Sequence, residues 1–189
     1  MITARGILTT LVLLCAGPAL ARDYCDEMWF TRNLIFDKAG YCFGSALGQA
    51  VFDNTDCTTK APNLTADEKR AISDIKSEET RVECKINSKT IRALDIPNID
   101  FRKSVHPIPI PDAHGFGCFG WKGVPFSLYR GTDTSGPAVA QVLAGDDIFF
   151  FHWSKTNWVF LTIKRDETEF QGWAKPLPTN ETTCTKMAG

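Results

Sequence analysis

Cysteine is the residue type whose number and spacing carry the clearest chemistry in this sequence. Cys25, Cys42, Cys57, Cys84, Cys118 and Cys184 remain once Cys15 is set aside with the apolar N-terminal run. An even count at wide intervals, in a chain bound for export, reads as three disulfides. Zinc would need close pairs such as C-x-x-C or a histidine at ligand spacing, and the sequence has neither. No metal and no cofactor is therefore expected, and no thiol is left over as a nucleophile. His152 precedes Trp153 in a strand-like run and is expected to pack. His106 and His114 flank a proline run and read as surface residues. G-x-S-x-G, phosphate-loop and H-E-x-x-H patterns do not occur. Asp26, Glu27, Asp146, Asp147 and Glu167 are acids that a glycosidase pair could draw on, but no spacing singles out two of them. Asp146-Asp147 reads as a turn. What remains is aromatic: Tyr129, Trp153, Trp158 and Trp173 could line a ligand groove, or pack in the core.

Elements must position these residues. The first 21 residues combine Arg5, an apolar run from Ile7 to Leu14 and the small residues Ala19-Leu20-Ala21. That is a signal peptide over 1–21, cleaved after Ala21, and its apolar run is too short for a membrane anchor. The product carries 20 basic and 22 acidic residues, a charge of −2, with both signs spread along the chain. Neither a nucleic-acid surface nor adhesion to anionic lipid follows from that balance.

Residues 22–85 read as a small helical module. Tyr24 to Lys38 repeats apolar residues at helical spacing, with Asp23 or Asp26 as its cap and Gly40 just past its end. Ser45 to Phe52 is a second short helix, with Leu47, Ala50 and Val51 facing inward. Thr65 to Glu68 spells a capping box that opens a third helix running to about Glu83. Cys42 and Cys57 flank the second helix and could pair, leaving Cys25 with Cys84; pairing 25–42 with 57–84 is equally open from the sequence.

This module resembles the YARHG domain over roughly residues 29–79. The motif stands here as Phe36-Asp-Lys-Ala-Gly-Tyr41, followed by Phe43-Gly-Ser45 and the run from Leu47 to Phe52. Lys38 and Ala39 stand where the family has Arg and His. The resemblance is closest to a cysteine-bearing relative of unknown function in exported proteobacterial proteins, and implies a location and a fold.

Residues 86–112 form a proline-containing crossover, too apolar at Ile91, Leu94, Ile96, Ile99 and Phe101 for a free tether. Its prolines argue against any helix, and it is expected to lie on one module. Residues 113–189 read as short strands. They are Val124–Tyr129, Ala138–Leu143, the pair Ile148–Trp153 and Asn157–Lys164 joined through Ser154 to Thr156, and Phe170–Ala174. The central pair is apolar on both faces and needs cover on both. Cys118 and Cys184 would tie the two ends of this module together. Residues 120–178 resemble bacterial SH3-like domains through Ser127 to Gly131, Leu143 to Asp147, Asn157-Trp-Val and Gln171 to Ala174. That resemblance implies a small closed barrel and, at most, binding of wall peptides or proteins.

The sequence thus predicts an α+β protein: a disulfide-stapled helical N-terminal module plus a C-terminal SH3-like β-barrel, periplasmic or secreted. The function expected is non-catalytic binding at the bacterial cell envelope, of a cell-wall peptide or another exported protein. The alternatives are a cell-wall hydrolase with two carboxylates at the module interface, or an inhibitor of an exported enzyme.

Overall fold

A computed structural model describes residues 19–90, 93–153 and 157–189. Most of the leader expected at 1–21, and the turn expected at Ser154 to Thr156, lie outside them. Helix α1 (Ala19–Lys38) is the centre of the helical part. It starts upstream of Tyr24, so Asp26 is not a cap; it is buried, and its carboxylate accepts a hydrogen bond from the Asp95 amide at 3.0 Å. Met28, Trp29, Phe30, Thr31, Leu34 and Ile35 are all buried, a wider surface than one amphipathic stripe. Such a helix needs neighbours on several sides.

Helix α2 (Ala46–Phe52) covers one side, where Phe52 stacks against Trp29, Phe30 and Phe43. Its Ser45 cap accepts from the Gly48 amide; Ala50, expected inside, is exposed. Helix α3 (Ala66–Arg81) covers another side through Ile72 and Ile75, and opens with the Thr65–Glu68 capping box. The Arg32 guanidinium donates to both Glu79 carboxylate oxygens across the α1–α3 seam, at 3.0–3.1 Å. Gly40 closes α1 at φ +77°, a conformation that favours glycine. Cys25 is bonded to Cys84 and Cys42 to Cys57.

The crossover departs from expectation in two ways. A short helix, α4 (Ile99–Ser104), fits between Pro97 and Pro107, because six residues need no position that either proline occupies. The crossover also touches both cores. Ile86, Leu94, Ile96 and Ile108 pack with the helices, while Phe101 and Val105 pack with Trp158, Phe160 and Trp173.

Seven strands follow: β1 (Pro111–Trp121), β2 (Phe126–Leu128), β3 (Ala140–Val142), β4 (Asp147–His152), β5 (Val159–Arg165), β6 (Thr168–Ala174) and β7 (Cys184–Ala188). Five make an antiparallel sheet in the order β6-β5-β4-β1-β7. The β2–β3 pair joins β6 by one bridge, in which Tyr129 and Trp173 exchange two main-chain hydrogen bonds of 2.8 Å. No closed barrel is found among the described residues. The β2–β3 pair meets the β6 end of the sheet, and no described pairing joins it to β7 at the other end. Both β1 and β7 were missed in the sequence, β1 because it begins at Pro111 inside the proline run and carries four glycine or alanine positions. Strand β5 is covered on both faces from Val159 to Ile163, as its composition demanded. Strand β4 is covered less fully, and Phe151 is exposed.

Cys118 and Cys184 are buried and bonded, pinning β7 to β1. Replacing both by alanine should lower stability by about 2–4 kcal/mol. In hydrogen exchange the amides of β7 should lose protection before those of β5; equal loss across the sheet would contradict this pinning role.

Candidate functional site

Of the four aromatic residues that could line a groove or pack in the core, Tyr129, Trp158 and Trp173 come together in one packed cluster and Trp153 stands apart from it. Trp173 is fully buried and Trp158 nearly so, packed with Phe160 and Val105. Their burial follows from their strands: β5 and β6 lie under α4 and the crossover, where the indole NH of Trp173 donates to the Pro107 carbonyl at 3.2 Å. Tyr129 is half-buried, its ring edge-on to Trp158 at 6.3 Å. Trp153 is different. It is 54% exposed, just past the end of β4, and its amide donates to the Ile110 carbonyl at 2.9 Å.

Trp153 walls a groove of about 140 Å³ between α1, α3 and the start of β1. Met28, Ile75 and Ile110 give the groove apolar lining, and Asp74, Glu78 and Asp112 give it acidic groups. Glu78 is engaged by Arg81 and by the Tyr24 hydroxyl, which donates to it at 3.3 Å. Burial, then the Glu78 carboxylate, pushes the Tyr24 phenol up to about 12, with Asp112 acting in the same direction. The sequence offered no periodicity that would join these residues, because they come from three separate elements.

Behind the groove the helices meet the sheet through a buried ion pair. Arg102 of α4 is 1% exposed and donates two hydrogen bonds of 2.9 Å to the two carboxylate oxygens of Glu27 on α1. Its guanidinium lies between the rings of Phe30 and Phe160, 5.6 and 5.4 Å from their centroids. His152 lies beside it, edge-on to Phe160 at 5.0 Å. Its Nε2 is 4.0 Å from Glu27, beyond hydrogen-bond reach, and neither ring nitrogen has a partner among the described residues. Burial, and then the Arg102 charge, holds the imidazole well below its ordinary value. His152 therefore packs as a neutral ring, and Glu27 is committed to Arg102. The other candidate acids are also engaged or in turns. Burial alone would raise the Asp146 carboxyl, but hydrogen bonds from Arg165 and the Leu143 amide outweigh it and the net shift is downward. Among the described residues no group of three or more His, Cys, Asp or Glu side chains is arranged to hold a metal ion.

The chain is thus an α+β protein whose three disulfides mark an exported protein, made in an oxidising compartment. No described helix is long and apolar enough to cross a membrane. Residues 8–80 match the YARHG domain, so the motif at Phe36 to Tyr41 identified its helices correctly. Residues 83–189 match a family described as a domain of unknown function, DUF4453, and over that larger part the chain belongs to the DUF4453 family. The C-terminal part is not identified as SH3-like by these matches. The division between them falls at the end of α3, so the crossover goes with the C-terminal family. No curated protein and no solved structure matches the chain.

Two outcomes follow from the ion pair. Glu27→Leu strands the Arg102 charge and should cost about 3–5 kcal/mol, while the pair of changes Glu27→Leu and Arg102→Leu should cost less than the two single changes summed. Denaturant unfolding of the three variants decides. Separately, unfolding lets His152 take up a proton that the folded state refuses. Its contribution to stability is therefore full above about pH 6.5 and declines below it, by up to about 1.4 kcal/mol per pH unit. The stability of His152→Phe should be flatter than the parent's between neutral and mildly acid pH; parallel curves would refute the assignment.

Proposed function

We propose that this is a non-catalytic binding protein of the bacterial cell envelope, periplasmic or secreted, whose ligand is a cell-wall peptide or another exported protein. The observation that supports it most is Trp153: of five tryptophans, four are 0–6% exposed and this one stands open beside a groove. An exposed indole offers a flat apolar face with a polar edge, and residues of this type anchor interfaces. The disulfides support an oxidising location.

The hydrolase reading asks for an open cleft with two free carboxylates where the modules meet. That junction is filled by Arg102 between two phenyl rings; its Glu27 carboxylate is paired with Arg102, and the nearby Glu169, raised chiefly by burial, accepts from the Gln171 side chain. The inhibitor reading has one observation in its favour. The segment stapled by Cys42–Cys57 presents Asp53, Thr55, Asp56 and Thr58 to solvent, while Asn54 anchors it to both main-chain groups of Phe43.

Purified peptidoglycan sacculi and a periplasmic extract are the two baits. Binding is expected to one of them, weakened by Trp153→Ala and accompanied by a change in Trp153 emission. Failure of both baits to retain the folded protein would overturn the reading.

A further inference from the structure

The groove beside Trp153 has a chemistry of its own, and it bears on what the ligand is. Its acidic side chains are not equivalent. Glu78 is neutralised by Arg81, whereas Asp74 and Asp112 form no ion pair among the described residues. Asp74 is exposed on α3, facing the groove one helical turn before Glu78. Asp112 lies at the start of β1, and its Oδ1 accepts from the His114 amide at 2.9 Å, leaving Oδ2 without a donor among the described residues. The groove therefore carries two uncompensated negative charges over an apolar floor of Met28, Ile75 and Ile110, with an indole face at its wall.

The main chain beside the groove is also open. The pairing of β1 with β4 shifts register between Pro111 and Phe116, and β7 reaches only as far as Gly117. Five steps of β1 face only two of β4 there, so residues 112–115 bulge out of that ladder, and on the β7 side no described strand pairs with them, although Gly189 lies against Gly115. An extended partner could add there through main-chain hydrogen bonds, as peptides do along sheet edges.

We propose that this groove binds an extended, basic segment of another exported protein, with a lysine or arginine side chain laid over Trp153 and its charge set against Asp74 and Asp112. The proposal rests on the binding function above and narrows it. A long basic side chain suits the site because its methylene stem can lie on the apolar lining while its cation meets both the indole face and the acids. A wall peptide bearing several free carboxylates would instead meet like charge.

The test uses the full, disulfide-bonded chain and two short capped peptides, one alternating lysine with leucine, the other glutamate with leucine. Trp153 emission reads binding, since the other four indoles are buried. The lysine peptide should bind about tenfold more tightly than the glutamate peptide, and its affinity should fall with added salt. The double variant Asp74→Asn, Asp112→Asn should lose about that tenfold. Its thermal midpoint should match the parent's, because asparagine keeps the acceptor for the His114 amide. Trp153→Ala, followed by calorimetry, should weaken the lysine peptide as well. Equal affinity for the two peptides, or an unchanged affinity in the double variant, overturns the proposal. If neither peptide binds but sacculi or an exported protein are still retained, the charge assignment is wrong and the binding function stands. If those baits fail too, both fall together.

Discussion

The grip of Arg102 on Glu27 is the interaction on which the rest of the structure leans. A guanidinium with almost no solvent access is costly unless its charge is met; both terminal nitrogens of Arg102 donate, while its Nε has no partner among the described residues. Here the charge is met by a carboxylate from the first helix, and the flat faces are met by one ring from a helix and one from a strand. Three elements from opposite ends of the sequence are thereby fixed in one geometry. The helices and the sheet are consequently not beads on a string: α1, α4, β4 and β5 share one buried seam, and the crossover is part of both cores.

That seam explains which parts of the molecule were legible in the sequence. Local grammar was readable. Thr65 and Glu68 spell a helix start within four residues, Ser45 caps a short helix, and Gly40 ends a long one. Disulfides were readable because an even set of scattered cysteines in an exported chain has few other uses. The double-sided burial of β5 was readable because Val159 to Ile163 leaves no polar face. Each of these signals lies inside a short window.

What failed depends on long-range partners. The sequence left Trp158 and Trp173 open between a groove and the core, because α4, which hides among prolines, is what covers them. The closed barrel failed because β7, short and mostly exposed, ends the sheet beyond β1 and pairs with neither β2 nor β3. The burial of Arg102 is hinted at in sequence only by its apolar neighbours, Phe101 on its helix and Val105 just past it. The groove draws on α1, α3 and β1, and no window contains all three.

One consequence follows from the length of α1. A chain entering an oxidising space leading end first exposes Cys25 and Cys42 before Cys57 and Cys84, so the earliest available partner is the wrong one. A wound helix prevents that error: at about 1.5 Å per residue, α1 holds Cys25 about 20 Å from Lys38, where the chain turns toward Cys42, far beyond the span a disulfide can bridge. Cys42 is then left to meet Cys57 locally, and α3 brings Cys84 back to the waiting Cys25. In the folded chain the first helix thus sets a fixed distance that the nested connectivity satisfies and the sequential one does not.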